Sequence, residues 1–230
     1  LAATPLSRAD LPWWAARHAE KVAAAHEGTV KLIWLGDSIT QNFEHRGPPD
    51  ADNYASVWDR FYGDRSAFNL GFSGDATAHV LWRVENGEIA GLHPKLVVLL
   101  VGANNLGRLH WGAADTVAGI EAIMAALQAR LPGVTVLMIG TLPREGDAWV
   151  TDNQRAINRA LAAKYGHAPG VIFRDLSGLF ERDGAIRHDL YADSLRTPPH
   201  PALHPSPEGM ALIARAIEPD VARVLGDRVH

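Results

Sequence analysis

Five short apolar runs divide the chain, at 30–35, 67–70, 96–101, 134–139 and 171–173. Most lack the strict polar alternation of a half-exposed strand and instead read as strands buried on both faces of a parallel sheet. Between them, apolar residues return at helical spacing. Asp10-Leu11-Pro12 reads as a helix start, with the helix expected to run to about Glu27 and to end at Gly28. Trp13 and Trp14 are expected to anchor that helix to the sheet. Further stripes comprise Tyr54, Val57, Trp58 and Phe61; Val80, Leu81 and Val84; and Val117, Ile120, Met124, Leu127 and Leu131, the last halted by Pro132-Gly133. Thr151 with Gln154 predicts a capping box opening a helix to about Tyr165. Ser206-Pro207 opens a final helix carrying Met210, Ile213, Ile217 and Val221, with Pro219 expected to bend it. The polar, Gly- and Pro-containing stretch 41–52 predicts a surface loop. Strands alternating with amphipathic helices predict a doubly wound parallel α/β sheet with helices on both faces, a three-layer architecture.

Length and composition narrow this picture. At 230 residues, with no linker-like run, the chain is expected to form one domain across 1–230, in which 1–28 are an N-terminal extension and helix. A net charge of −4 with both signs interspersed argues against a nucleic-acid partner or an anionic membrane surface, and favours a small molecule. No apolar run reaches the length of a membrane span. The absence of cysteine excludes disulfides, thiolate metal sites and thiol nucleophiles, so any nucleophile is an oxygen or a lysine. Starting at Leu1 rather than methionine fits removal of a secretory leader or simple trimming, with export (secreted or periplasmic) favoured.

Polar and glycine clusters follow the first three strands, and there the candidate chemistry gathers. Gly36-Asp37-Ser38 lies at the end of the first run, where a nucleophile belongs in an open α/β sheet. A serine attacks an ester only if a base takes its proton and donors stabilise the oxyanion. The N–H groups of Ser38 and Gly74 and the amide of Asn104 are candidate donors. Each residue also has a plainer reading: Ser38 as a helix cap, Gly74 as a turn glycine, Asn104 as a loop-capping amide. His188, Asp189, Asp193, His200 and His204 form a late cluster with metal-ligand composition. Pro201 and Pro205 oppose the helix that would bring the two last histidines to one face, so no metal site is expected.

Gly36-Asp37-Ser38, Gly71 with Gly74, Gly102-Ala103-Asn104-Asn105 and His204 resemble, in order, the four blocks of the SGNH (GDSL-type) hydrolases, serine esterases and lipases on a flavodoxin-like sheet. Within that family the likeness extends furthest to the catalytic subunits of intracellular platelet-activating-factor acetylhydrolase, through 69–75, His79-Val80-Leu81-Trp82-Arg83, Asn86-Gly87-Glu88, 119–123, Leu142-Pro143-Arg144 and Asp183-Gly184-Ala185-Ile186. Carried over by position, the resemblance implies Ser38 as nucleophile, Ser38, Gly74 and Asn104 as oxyanion donors, and a late Asp and His as the remaining triad members. It further implies a short-acyl, above all acetyl, carboxylic ester substrate, no cofactor, and a homodimer like that of the related subunits. Sugar-ester, lysophospholipid and thioester substrates stand as alternatives on the same scaffold, as does a catalytically silent binding protein. The sequence departs from the family in one place. Asp-x-x-His is expected, yet Pro201 occupies the position three before His204. An insertion at 196–203 between Asp193 and His204 accounts for this, with Asp193 orienting the histidine; Asp189 is the competing carboxylate and His200 the competing base.

Overall fold

The computed structural model describes residues 1–26, 29–48 and 52–230. Glu27 and Gly28, where the first helix was expected to end, lie outside the described residues, as does the 49–51 part of the predicted loop. A five-stranded, wholly parallel sheet forms from β1 (Leu32–Gly36), β2 (Ala67–Gly71), β3 (Leu96–Leu100), β4 (Thr135–Ile139) and β5 (Val171–Arg174), in the order β2-β1-β3-β4-β5. That is the flavodoxin-like order, with its reversal beside β1.

Alternation along each strand feeds two separate cores. Leu32 and Trp34 of β1, Leu96, Val98 and Leu100 of β3, and Leu137 and Ile139 of β4 face one side. There they meet α3 (Ala55–Tyr62) and α9 (Pro207–Leu225). The intervening Ile33, Leu35, Val97, Leu99, Val136 and Met138 face the other side, against α4 (Thr77–Glu85), α6 (Ala113–Arg130) and α7 (Ala148–Tyr165). Because both faces are covered, the strands carry apolar residues at consecutive positions. No helix among the described residues is long and apolar enough to cross a membrane.

Several local expectations change. The helix α1 (Pro12–Ala25) is capped by Leu11 rather than Asp10, with Pro12 in its first turn supplying the preset φ. Trp14 is fully buried and donates Nε1–H to Asp75, whereas Trp13 is 43% exposed and anchors little. The helix α7 begins a turn earlier than its supposed capping box, because Asp147 accepts from the Val150 N–H at 3.0 Å. Gln154 instead reaches sideways, donating to the Thr141 carbonyl at 2.6 Å. The helix α2 (Ser38–Gln41) runs up to the start of the predicted loop, within which lies a 3₁₀ turn, Asn42–Glu44, that buries Phe43. Three further pieces, α5 (Ala103–Gly107), α8 (Ser177–Phe180) and the small antiparallel pair β6 (Glu181–Arg182) and β7 (Ala185–Ile186), are too short to leave a periodic signal.

Candidate active site

Since β2, β1 and β3 are neighbours, the turns leaving their carboxyl ends emerge side by side, on the order of 5 Å apart as paired strands are. Those turns carry Gly74, Ser38 and Asn104. The first strand closes on Gly36, where a Cβ would lie 2.2 Å from the Leu100 carbonyl oxygen and 2.5 Å from Thr40 Oγ1, so only glycine fits. Asp37 then caps α2, its carboxyl accepting from the Ile39 N–H at 3.0 Å, and Ser38 becomes the first residue of that helix. Burial pushes the Asp37 carboxyl up to about 7, against the opposing pull of the Ile39 N–H and of His204.

Ser38 Oγ stands 3.0 Å from His204 Nε2. On the far side of the ring, His204 Nδ1 lies 3.0 Å from Oδ2 and 3.3 Å from Oδ1 of Asp193. A carboxylate there accepts an Nδ1–H, which leaves Nε2 with a lone pair toward the serine hydroxyl. Partial burial raises the Asp193 carboxyl, but hydrogen bonds from the His204 ring and from the His204 and Leu203 N–H groups outweigh it and hold the group below the usual carboxylate range.

Between Asp193 and His204 the chain reaches this arrangement by folding out and back. Tyr191 pairs antiparallel with Pro205; the Ala192 N–H donates to the His204 carbonyl at 2.9 Å and the Ser206 N–H to the Leu190 carbonyl at 2.7 Å. Segments 190–193 and 204–206 thus run as a short ladder, with the residues between them closing its open end. That end is itself tied down, because the Asp193 carbonyl accepts from the His200 N–H at 2.9 Å. Two buried tyrosines brace the ladder: Tyr54 donates to the Pro205 carbonyl at 3.0 Å and Tyr191 to the Pro143 carbonyl at 2.5 Å.

The competing residues fall elsewhere. Asp189 is exposed and paired with Arg187 at 2.8 Å. His200 lines a separate recess with Glu145, His188 and Ser194. Among the described residues, no set of three or more His, Cys, Asp or Glu side chains is arranged to hold a metal.

Gly74 turns with φ of +78°, a conformation that glycine adopts without strain. Asn104, 8% exposed at the start of α5, donates Nδ2–H to the Asp75 carbonyl at 3.0 Å, which leaves its second amide hydrogen available. Neither the Ser38 nor the Gly74 N–H has an acceptor among the described residues. A cleft of about 190 Å³ opens over Ser38 and His204, walled by Asn42, His45, Asp52, Tyr54, Ser73, Ala192 and Arg196. Sequence reasoning missed Tyr54 as a brace, Arg196 as a cleft residue, and the buried Asp75 and Arg83 beneath the turns. Tyr54 had shown only as part of a helical stripe, and Arg83 only as part of a motif without an assigned role.

Comparison with known proteins identifies the family. Residues 34–212 match the model of the GDSL-like lipase/acylhydrolase family. The chain belongs to that family. It is 31% identical over 215 residues to bovine platelet-activating factor acetylhydrolase IB subunit alpha1 (Bos taurus), covering 92% of this chain and 84% of that one. To the alpha2 subunit of Rattus norvegicus it is 31% identical over 182 residues, covering 77% and 74%. In fold it resembles a GDSL-like lipase from Bacteroides thetaiotaomicron, with a TM-score of 0.65, 17% identity, and 90% and 97% of the two chains covered. An acetylxylan esterase from Geobacillus stearothermophilus aligns with a TM-score of 0.59 at 19% identity, over 87% and 96%. As a GDSL-like acylhydrolase, the protein is a hydrolase of the esterase class.

Proposed function

We propose that the protein is a serine esterase that hydrolyses short-acyl carboxylic esters, acetyl esters above all, through an acyl-enzyme on Ser38. The observation that carries this reading is the 3.0 Å approach of Ser38 Oγ to His204 Nε2. In the proposed cycle His204 takes the hydroxyl proton as Oγ bonds to the acyl carbon. The carbonyl oxygen gains the negative charge and lies against the Ser38 and Gly74 N–H groups and the Asn104 amide. Collapse of that intermediate breaks the bond to the alcohol, which leaves with the proton from Nε2. Water then repeats the sequence on the acyl-serine, releasing the acid and restoring Ser38. Asp193 keeps Nδ1 protonated throughout and balances the imidazolium.

Support for a short acyl group comes from the cleft and from the relatives. At about 190 Å³ the space is below the roughly 300–1,000 Å³ of drug-sized pockets, and polar side chains dominate its walls. The mammalian relatives are named acetylhydrolases. Assay of 4-nitrophenyl acetate, butyrate and octanoate with the wild type and Ser38→Ala tests the reading. We expect kcat/KM to fall with chain length, and Ser38→Ala to lose on the order of 10⁴-fold or more in kcat while folding normally. Retained turnover by Ser38→Ala would contradict it.

A further inference from the structure

A fully buried guanidinium lies beneath the turns that the proposed chemistry uses. Arg83, on α4, exposes none of its side chain, and neither do its two carboxylate partners, Asp75 and Glu88. Its Nε donates to Asp75 Oδ2 at 2.8 Å and its Nη1 to Glu88 Oε2 at 2.6 Å. The other bonds go to backbone carbonyls: Nη2 to Gly36 at 3.0 Å and Nη1 to Leu70 at 3.2 Å. Gly36 ends β1 and leads within two residues to Ser38; Leu70 lies at the end of β2, which leads through Phe72 to Gly74. The guanidinium carbon also sits 4.0 Å from the centre of the Phe72 ring.

Asp75 carries the connection onward. Its Oδ1 accepts from Trp14 Nε1 at 2.9 Å and from Arg8 at 2.8 Å, while its carbonyl accepts the Asn104 amide at 3.0 Å. One side chain therefore touches the strand ends behind Ser38 and Gly74, and through Asp75 reaches Asn104. At the other end, Glu88 Oε1 meets His18 Nδ1 at 2.9 Å.

Stability alone gives little reason for such a cluster. Removing a guanidinium and two carboxylates from water costs several kcal/mol per ion, and well-packed apolar residues of similar volume often serve as well or better. Apolar residues cannot hold two strand-end carbonyls and a carboxylate at fixed separations. A planar fork with donors on three nitrogens can. Oxyanion stabilisation in turn requires donors within about 2.7–3.1 Å of the place where the charge develops.

We propose that Arg83 is a positioning residue for the oxyanion site, fixing the spacing of the Ser38, Gly74 and Asn104 turns through Gly36, Leu70 and Asp75. This rests on the esterase reading above. Loosening the spacing weakens binding of the transition state more than binding of the ester, so the loss falls on kcat.

Arg83→Lys keeps the charge but, with a single nitrogen, cannot meet all four acceptors together. We expect kcat for 4-nitrophenyl acetate to fall about 10- to 100-fold with KM changed less than about 2-fold. A boronic acid inhibitor, whose tetrahedral adduct with Ser38 places an oxygen in the same site, should lose affinity by a similar factor. A residue with a merely structural role would lower the melting temperature yet leave the kcat of the folded fraction and the boronate affinity at wild-type values, and that result overturns the proposal. If Arg83→Lys does not fold, Glu88→Gln replaces it, since it keeps the shape of the side chain and removes the charge that faces Nη1 and His18. It should lose about 3- to 10-fold in both kcat and boronate affinity, and unchanged values overturn the proposal. A wild type inactive on the ester overturns the esterase reading and this proposal together, whereas an active wild type with an unaffected variant overturns this one alone.

Discussion

Asp193 is the residue at which sequence and family pattern part, and its geometry yields the sharpest single-residue expectation. With both oxygens facing His204 Nδ1 and Oδ2 also accepting the His204 N–H at 2.6 Å, it is placed to fix the tautomer of the ring. Asp193→Asn should keep the fold but disturb that tautomer, costing on the order of 10⁴-fold in kcat. His204→Ala should cost about as much, with the double variant hardly worse than either, because residues acting as one unit are not additive. Asp189→Asn, on the exposed Arg187 pair, should retain near wild-type turnover; the reverse ranking would mean that the carboxylate is misassigned. Asp37 presents a different effect. Its folded carboxyl, raised by burial to about 7, holds a proton that the unfolded chain releases near 3.8. Between those values the folded state binds more protons, so this group's contribution to stability falls as pH rises through that window and stays unfavourable above it. Asp37→Asn keeps an acceptor for the Ile39 N–H and removes the titration. Urea unfolding at pH 5 and pH 8 should therefore show the wild type losing stability relative to Asp37→Asn, by up to roughly 3 kcal/mol. A difference independent of pH would contradict the buried, raised carboxyl.

At the scale of elements, the segment between Asp193 and His204 is the part that the sequence could not shape. An Asp and a His eleven positions apart say nothing of whether the chain returns. The answer lies in the ladder between 190–193 and 204–206, held by bonds to backbone that any sequence makes. Deleting 196–203 restores the Asp-x-x-His spacing and leaves the ladder, so part of kcat should survive. It also removes Ala202, which is fully buried and whose N–H donates to Glu145 at 3.0 Å, so the melting temperature should drop. A folded deletion variant with no activity would show that the insertion itself shapes the site. The five strands and the long helices were legible because continuous apolar runs and 3.6-residue stripes are strong signals. Short pieces such as α5 and the β6–β7 pair were not, since one turn or two residues carry no period. The α7 start was misread because Thr151 and Gln154 have the right types at the right spacing, while the Asp147 cap lies outside that pattern.

Over the whole molecule, strand order explains why residues far apart in the chain meet. With β1 between β2 and β3, the turns after three adjacent strands lie at one edge of the sheet, and the ladder before α9 brings His204 to Ser38 from 166 residues away. Ser38, Gly74, Asn104 and His204 could be proposed from the sequence because each stands in a block of residues that resembles the family's. The buried support beneath them could not, since a motif gives residue types and order but not which carbonyl a guanidinium will reach. The central claim is that Ser38 is the nucleophile of this assembly, and covalent labelling tests it most directly. An organophosphate fluoridate, followed by peptide mass spectrometry, should modify the wild type once per chain at Ser38, at a rate strongly reduced in His204→Ala, and leave Ser38→Ala unlabelled. Stoichiometric modification of another serine, or an active wild type that resists the reagent, would contradict the account.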